Sequence, residues 1–153
     1  MIQKDVLMRQ IQQMTEALAE ALALISDGRT DEAQHEIAEA LDDLTEPGTL
    51  PLHERPVADA IAHCTIDGSL STDLALQVAD MLRHQGDLLR RQDRFVQGQH
   101  CHVRALALYE ALLQASTPDT PLPLDIHDRI AHLKDQIDPE QLTGDERAVT
   151  DLT

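Results

Sequence analysis

From Leu7 onward the apolar positions fall at Leu7, Ile11, Met14, Leu18, Ala21 and Ile25, alternating steps of four and three that draw one stripe along a helix. The spacing predicts a first helix that stops near Ser26-Asp27-Gly28, where glycine supplies the backbone freedom a helix C-terminus commonly uses. Thr30 is placed to cap the next helix through its hydroxyl, with Asp31 and Glu32 in the first turn, where negative charge suits the helix dipole. A second helix is predicted from about Asp31 to Leu44, presenting Ala33, Ile37, Ala40, Leu41 and Leu44, and ended by Pro47-Gly48.

A loop with Pro51 leads to a short helix near Pro56 to Thr65, whose inner face is Val57, Ala60, Ile61 and Cys64. Pro56 suits the first turn. After Asp67-Gly68, Ser71 or Thr72 caps a long helix through about Arg91 that buries Leu74, Val78, Leu82 and Leu89. A fifth helix follows from about Arg94 to Ala115, with Phe95, Ala105, Leu106, Tyr109, Leu112 and Leu113 turned inward. The proline-rich stretch Ser116 to Pro123 is a loop. A sixth helix from about Leu124 to Ile137 repeats the spacing at Ile126, Ile130, Leu133 and Ile137. Asp138-Pro139 offers a seventh helix start, but Gly144 and the polar composition weaken it, so the tail is expected to fray. Residues 1–137 are expected to form one helical domain, and 138–153 a polar tail with at most a short helix.

A constant shift places the first helical pair on the second: Ala21 meets Gly86, Leu24 meets Leu89, Arg29 meets Arg94, Ala33 meets Gly98, and Ala40-Leu41 meets Ala105-Leu106. Small residues at these places are what two helices need to approach closely in an antiparallel hairpin. Gly28, Ala33, Ile37 and Ala40, with Pro47 downstream, resemble the second half of a tetratricopeptide repeat. Leu82, Gln85-Gly86, Leu89, Phe95, Gly98 and Ala105 resemble a fuller copy, with Asp93 where the turn usually has Gly and His102 where a large aromatic is usual. The opening Met1 to Ile11 is similar to the start of a family of small bacterial proteins of unassigned function, whose members have a hairpin, a spacer and a second hairpin. The resemblance implies an all-α fold of tetratricopeptide-like helical hairpins in a compact bundle of six to seven helices, and it supplies no activity. With two such units and a short helix between them, an extended solenoid is not expected.

Composition agrees with helix. Hydrophobic residues make up 42% of the chain, yet there is one Phe, one Tyr and no Trp, so the aromatic runs that mark sheets are missing. The formal net charge is −16, from 28 acidic and 12 basic residues, and such a field repels phosphate backbones and anionic lipids. Neither nucleic acid nor membrane is an expected partner. Lysine occurs only at Lys4 and Lys134, a bias that suits either a high-salt habitat or a GC-rich genome. No apolar run approaches the roughly 18 residues of a membrane span, and the amino terminus does not read as a signal peptide. With two isolated cysteines, Cys64 and Cys101, a reducing cytoplasmic setting is the expectation.

The candidate chemistry is sparse. His100-Cys101-His102 looks like a ligand cluster, but helix neighbours two apart point to nearly opposite sides, so the two imidazoles cannot close on one metal. His102 is expected in the hairpin interface, with Cys101 beside it. Glu32 and His35 have the Glu-x-x-His spacing of di-iron bundles, yet no second such pair follows, and Glu32, His35, Glu36 and Glu39 read as a solvated acidic face. Asp59 with His63, Asp80 with His84, and Asp128 with His132 are spaced for ion pairs along a helix. Arg83, Arg90, Arg91 and Arg94 cluster at the turn of the second hairpin. With His84 they are the candidate partner-binding residues, suited to holding a peptide's carboxylates, or to pairing with Asp80, Asp87 and Asp93 nearby.

No nucleophile, phosphate-cradling loop, catalytic residue or cofactor motif is present. The expected function is a non-enzymatic interaction or scaffold module that binds a protein partner, with helix one as a homodimer seam if its stripe is not covered within the chain. The alternative is a metal-binding helical protein that uses histidines with Asp or Glu.

Overall fold

Two turns in the chain are copies of each other. Gly28 and Asp93 take left-handed backbones with φ of 76° and 61°, and the residues after them, Arg29 and Arg94, share φ/ψ near −95°/62° and −97°/67°. Arg29 N–H donates to the Leu24 carbonyl at 2.8 Å and Arg94 N–H to that of Leu89 at 2.9 Å, while Gly28 and Asp93 donate to Ile25 and Arg90. This is the Schellman closure of a helix C-terminus. Each arginine then begins the following helix. The constant shift inferred from small residues is therefore also a repeat of backbone geometry.

The computed structural model describes residues 4–46 and 48–150. Among them, α1 (Lys4–Ser26) and α2 (Thr30–Asp42) form the first hairpin, and α4 (Thr72–Arg91) and α5 (Phe95–Ala115) the second. Pro47, expected to help end helix two, and Met1 to Gln3 of the family-like opening lie outside the described residues. Between the hairpins come a 3-10 turn at Leu52–Glu54 and α3 (Val57–His63); after them come α6 (Ile126–Gln136), a 3-10 turn at Pro139–Gln141 and α7 (Gly144–Thr150). α4 packs on α5, α2 and α1, while α5 also receives α3, α6 and α7. The molecule is built from packed helix pairs.

The expected inner residues fill the core: Met14, Ala21, Ala33, Ile37, Leu41, Val57, Ala60, Cys64, Leu74, Val78, Leu82, Leu89, Ala105, Leu106, Tyr109, Leu112, Ile126, Ile130, Leu133 and Ile137 are buried. The small residues do what the repeat requires. A Cβ built on Gly86 would lie 2.3 Å from the His102 ring and 2.9 Å from the Gly98 carbonyl oxygen, a separation no side chain occupies. Residues Cys101 to Tyr109 are buried without interruption, because helices close around α5 on every side.

Several expectations need correction. Phe95 is 54% exposed instead of turned inward, since the first buried residue of α5 is Gly98, one turn later. Thr30 is the first helical residue, not a cap; Arg29 holds the cap position without a side-chain bond to the helix and pairs with Glu32. Ser71, by contrast, caps α4 by accepting from Leu74 N–H. A two-stranded hairpin, β1 (Thr65–Ile66) with β2 (Ser69–Leu70), interrupts the helical chain. Asp67 and Gly68 turn it with φ of 52° and 83°, the paired positive angles that suit the twist of a two-residue hairpin loop. Strands of two residues are too short to show alternation in sequence.

Residues 138–150 pack back onto the earlier helices, α7 lying against α5 and α3. Buried Gln99 grips the Asp138 backbone twice, donating to its carbonyl at 3.1 Å and accepting from its N–H at 2.8 Å. Thr143 N–H donates to the Glu146 carboxylate at 3.0 Å, the N-terminal half of a capping box. Asp145 reaches across to accept from Val57 N–H at 3.0 Å, satisfying the open N-terminus of α3, whose own cap position is Pro56.

Candidate functional site

Glu146 is the centre of a buried polar cluster. It is fully buried, with Oε2 at 2.8 Å from both Arg104 Nη1 and His100 Nδ1. Burial pushes its carboxyl upward, but the bonds from His100, Thr143 N–H and Arg104 outweigh that and hold its pKa at about 2. Arg104, itself buried, also donates to the carbonyls of Arg55 and His100. Burying a charge is tolerable only when it is paired and fully bonded, and both partners here are.

His100, Arg104 and Thr143 of this cluster also line a cleft of about 660 Å3, together with Val96 and Gln97 along α5, His53 to Pro56, and Asp145. His53 is half-buried, and desolvation lowers its pKa, with the charges of Arg104, His100 and Arg94 acting in the same direction against Glu54. Arg55 holds Asp59 at 3.1 Å and stands 3.2 Å from His63 Nε2. The exposed Val96 lies on this cleft, beside Phe95.

The five candidate partner-binding residues do not form one patch. Arg83 turns inward, donating to the Tyr109 hydroxyl at 3.2 Å and standing 3.8 Å from Asp80. Asp80 also accepts from Tyr109 and, at 2.8 Å, from Arg129; burial, then the Asp80 charge, push the Tyr109 phenol up. His84 is half-buried, its pKa lowered by desolvation and by Arg83. Arg90 lays its stem over Gly98 and donates to the Gln136 carbonyl at 2.8 Å. Arg91 and Arg94 are exposed and make no ion pair within 4 Å among the described residues, and Arg94 alone of the five belongs to the surroundings of the cleft through its charge on His53.

The other clusters resolve as follows. His100 turns to Glu146 and His102 to Asp87 at 3.0 Å, so they diverge as helix geometry requires. His102 is fully buried against Gly86, and Cys101 donates to Gln85 at 3.4 Å. Desolvation opposes the Asp87 charge, but the His102 bond prevails and lowers its pKa. Among the described residues none of the three Asp–His spacings closes into an ion pair: Asp59 is taken by Arg55, Asp80 by Arg129 and Tyr109, and His132 stands beside Gln136. No group of three or more His, Cys, Asp or Glu converges as metal ligands among the described residues, and no helix there is long and apolar enough to cross a membrane.

Sequence reasoning missed Arg104, Glu146, His53 and Arg55. The only available signal was Thr143-Gly144-Asp145-Glu146, a capping-box spacing that marks a helix start. The chain matches no protein-family model, and no curated protein or solved structure is significantly similar to it. What is established is a small, mostly helical protein.

Proposed function

We propose that this protein is a non-enzymatic interaction or scaffold module built on two tetratricopeptide-like hairpins, and that it docks a protein partner through the face carrying Phe95. The observation that carries this reading is the exposure of the chain's single Phe. Phe95 is 54% and Val96 60% exposed beside a ligand-sized cleft, in a chain that otherwise buries its aromatic Tyr109. An exposed aromatic beside a concavity is a common anchor of protein interfaces. The tetratricopeptide element of the reading is supported by the paired turns and by the packing of α4 against both helices of the first hairpin.

Helix one as a homodimer seam has narrower support. Met14 and Ala21 are buried within the chain, and Leu7, Ile11, Leu18 and Ile25 are partly covered, which leaves mainly Val6, Met8 and Leu22 for a second copy. The metal-binding alternative draws on His53 and His100 sharing one cleft, with a carboxylate fixing the second nitrogen of His100; Arg55 and Arg104 beside them oppose a cation.

The test is photo-cross-linking in the producing cells with p-benzoylphenylalanine at position 95, and at exposed Ala131 as the control. A single stoichiometric adduct from position 95, absent from position 131, supports the reading. Equal, diffuse labelling from both positions, or none from either, sinks it. Elemental analysis of untagged protein separates the metal alternative, which requires stoichiometric metal that survives dialysis.

A further inference from the structure

We propose that the cleft along α5 is a docking site for an acidic side chain of a partner peptide with an apolar neighbour, the carboxylate meeting His100, His53 and Arg55 and the apolar group meeting Val96 and Phe95. This rests on the interaction reading above and specifies its partner.

The argument is an account of which polar groups at the cleft are already committed. Arg104 is used by Glu146 and by two backbone carbonyls. Asp145 is used by Val57 N–H and by the Thr143 hydroxyl at 2.7 Å. Asp59 is used by Arg55 Nε, and Glu146 by His100, Arg104 and Thr143. What stays available is mostly donor or cation: the His53 imidazole, Nη2 of Arg55, the unpaired Arg94 beyond the rim and, in the protonated ring, Nε2 of His100. The one uncommitted carboxylate is exposed Glu54. Within a chain of net charge −16, this cleft is a place where an anion meets donors.

Glu146 decides how His100 behaves. An ionised carboxylate only accepts hydrogen bonds, so Nδ1 carries the proton between them, and Nε2 is the ring nitrogen left for a ligand. Neutral His100 offers a lone pair there; protonated His100 offers an N–H. A carboxylate accepts hydrogen bonds and donates none, so it can bond to Nε2 only in the second form. Docking is therefore linked to proton uptake.

A peptide fits better than a free phosphate. The cleft volume is that of a small-ligand pocket, roughly 300–1,000 Å3, and its wall includes Pro56 and Val96, next in the chain to exposed Phe95, apolar surface for which phosphate has no use. Glu54 and Asp145 at the edge would repel a dianion more than a single carboxylate.

The experiment is an amide-detected NMR titration of the full chain with N-acetyl-Glu-Leu-amide, its Gln isostere, and inorganic phosphate, at pH 6 and pH 8. The proposal expects saturable shifts at His53, Val96, Gln97 and His100, at least tenfold weaker binding of the Gln peptide, and threefold or more weaker binding of the Glu peptide at pH 8. H100Q should weaken the Glu peptide at least tenfold; if that variant does not fold, H53Q should weaken it at least threefold. Arg129→Gln, on the Asp80 side, should change nothing. Equal affinity for the Glu and Gln peptides, shifts confined elsewhere, no shifts at millimolar peptide, or phosphate binding as tightly as the peptide would overturn it. If any of these occurs while position 95 still captures its partner, the acidic-peptide assignment falls alone; loss of capture as well removes the interaction reading.

Discussion

Gly86 and Gly98 face each other where α4 crosses α5, so closely that a Cβ on either would stand 2.9 Å from the other's carbonyl oxygen. The contact explains why the second hairpin has glycine where the first has Ala21 and Ala33, and why His102 fits into the same crossing. Gly86→Ala is therefore expected to destabilise the protein by about 1–3 kcal/mol, the usual range for overpacking, because one obstacle is backbone. Urea unfolding measures it. A gain in stability, as for an ordinary glycine-to-alanine change within a helix, would contradict the described crossing.

The two turns offer a matched comparison. Asp93 holds a left-handed backbone that glycine takes without steric cost, as Gly28 does in the equivalent place. Asp93→Gly should stabilise by about 0.5–1 kcal/mol, and Gly28→Ala should destabilise by about 1 kcal/mol. Thermal melts of both variants read the pair, and opposite signs are required.

Removing the Glu146 carboxylate leaves Arg104 buried and unpaired. Glu146→Ala should cost about 3–5 kcal/mol, the range for breaking a buried ion pair from one side, and hydrogen exchange should rise first in 138–150 as α7 loses its anchor. Glu146→Ala with normal protection of α7 would show that the tail is held by something else.

The same group sets an acid limit. Its folded pKa, about 2, lies below the ordinary glutamate value of roughly 4.3, so its stabilisation is present above the ordinary value and is lost as pH falls toward 2. Unfolding free energy should decline across that window, and the decline should be smaller in Glu146→Gln. Equal slopes in the two proteins would exclude Glu146 as the source.

Both cysteines should be chemically silent in the folded protein. Cys64 and Cys101 are free and buried; burial pushes the Cys64 thiol up to about 12 and that of Cys101 higher still, so thiolate is scarce at neutral pH. Ellman's reagent at pH 8 should label neither until denaturant is added, then both. Rapid labelling of either one in the native state would mean that its surroundings open.

The helices were legible because each is a local pattern: the stripe of Leu7 to Ile25, the Ser71 cap and the glycine and proline stops operate over a few residues. The hairpin repeat was legible too, because close helix approach demands small side chains and Ala21, Ala33, Gly86, Gly98 and Ala105 advertise it. Phe95 was misplaced because a hydrophobic side chain at a helix start carries no mark of whether neighbours reach that far.

The cleft was not legible. His53 and Arg55 in one turn, His100 and Arg104 on α5, and Asp145 on α7 come from three distant stretches of the chain, and nothing in the spacing between those stretches announces that they meet. Local periodicity follows from the screw symmetry of the helix, which any stretch of chain obeys on its own. The burial of Glu146 follows from the folding of an acidic tail onto an arginine in a distant helix, and only the packed molecule brings opposite charges out of water together.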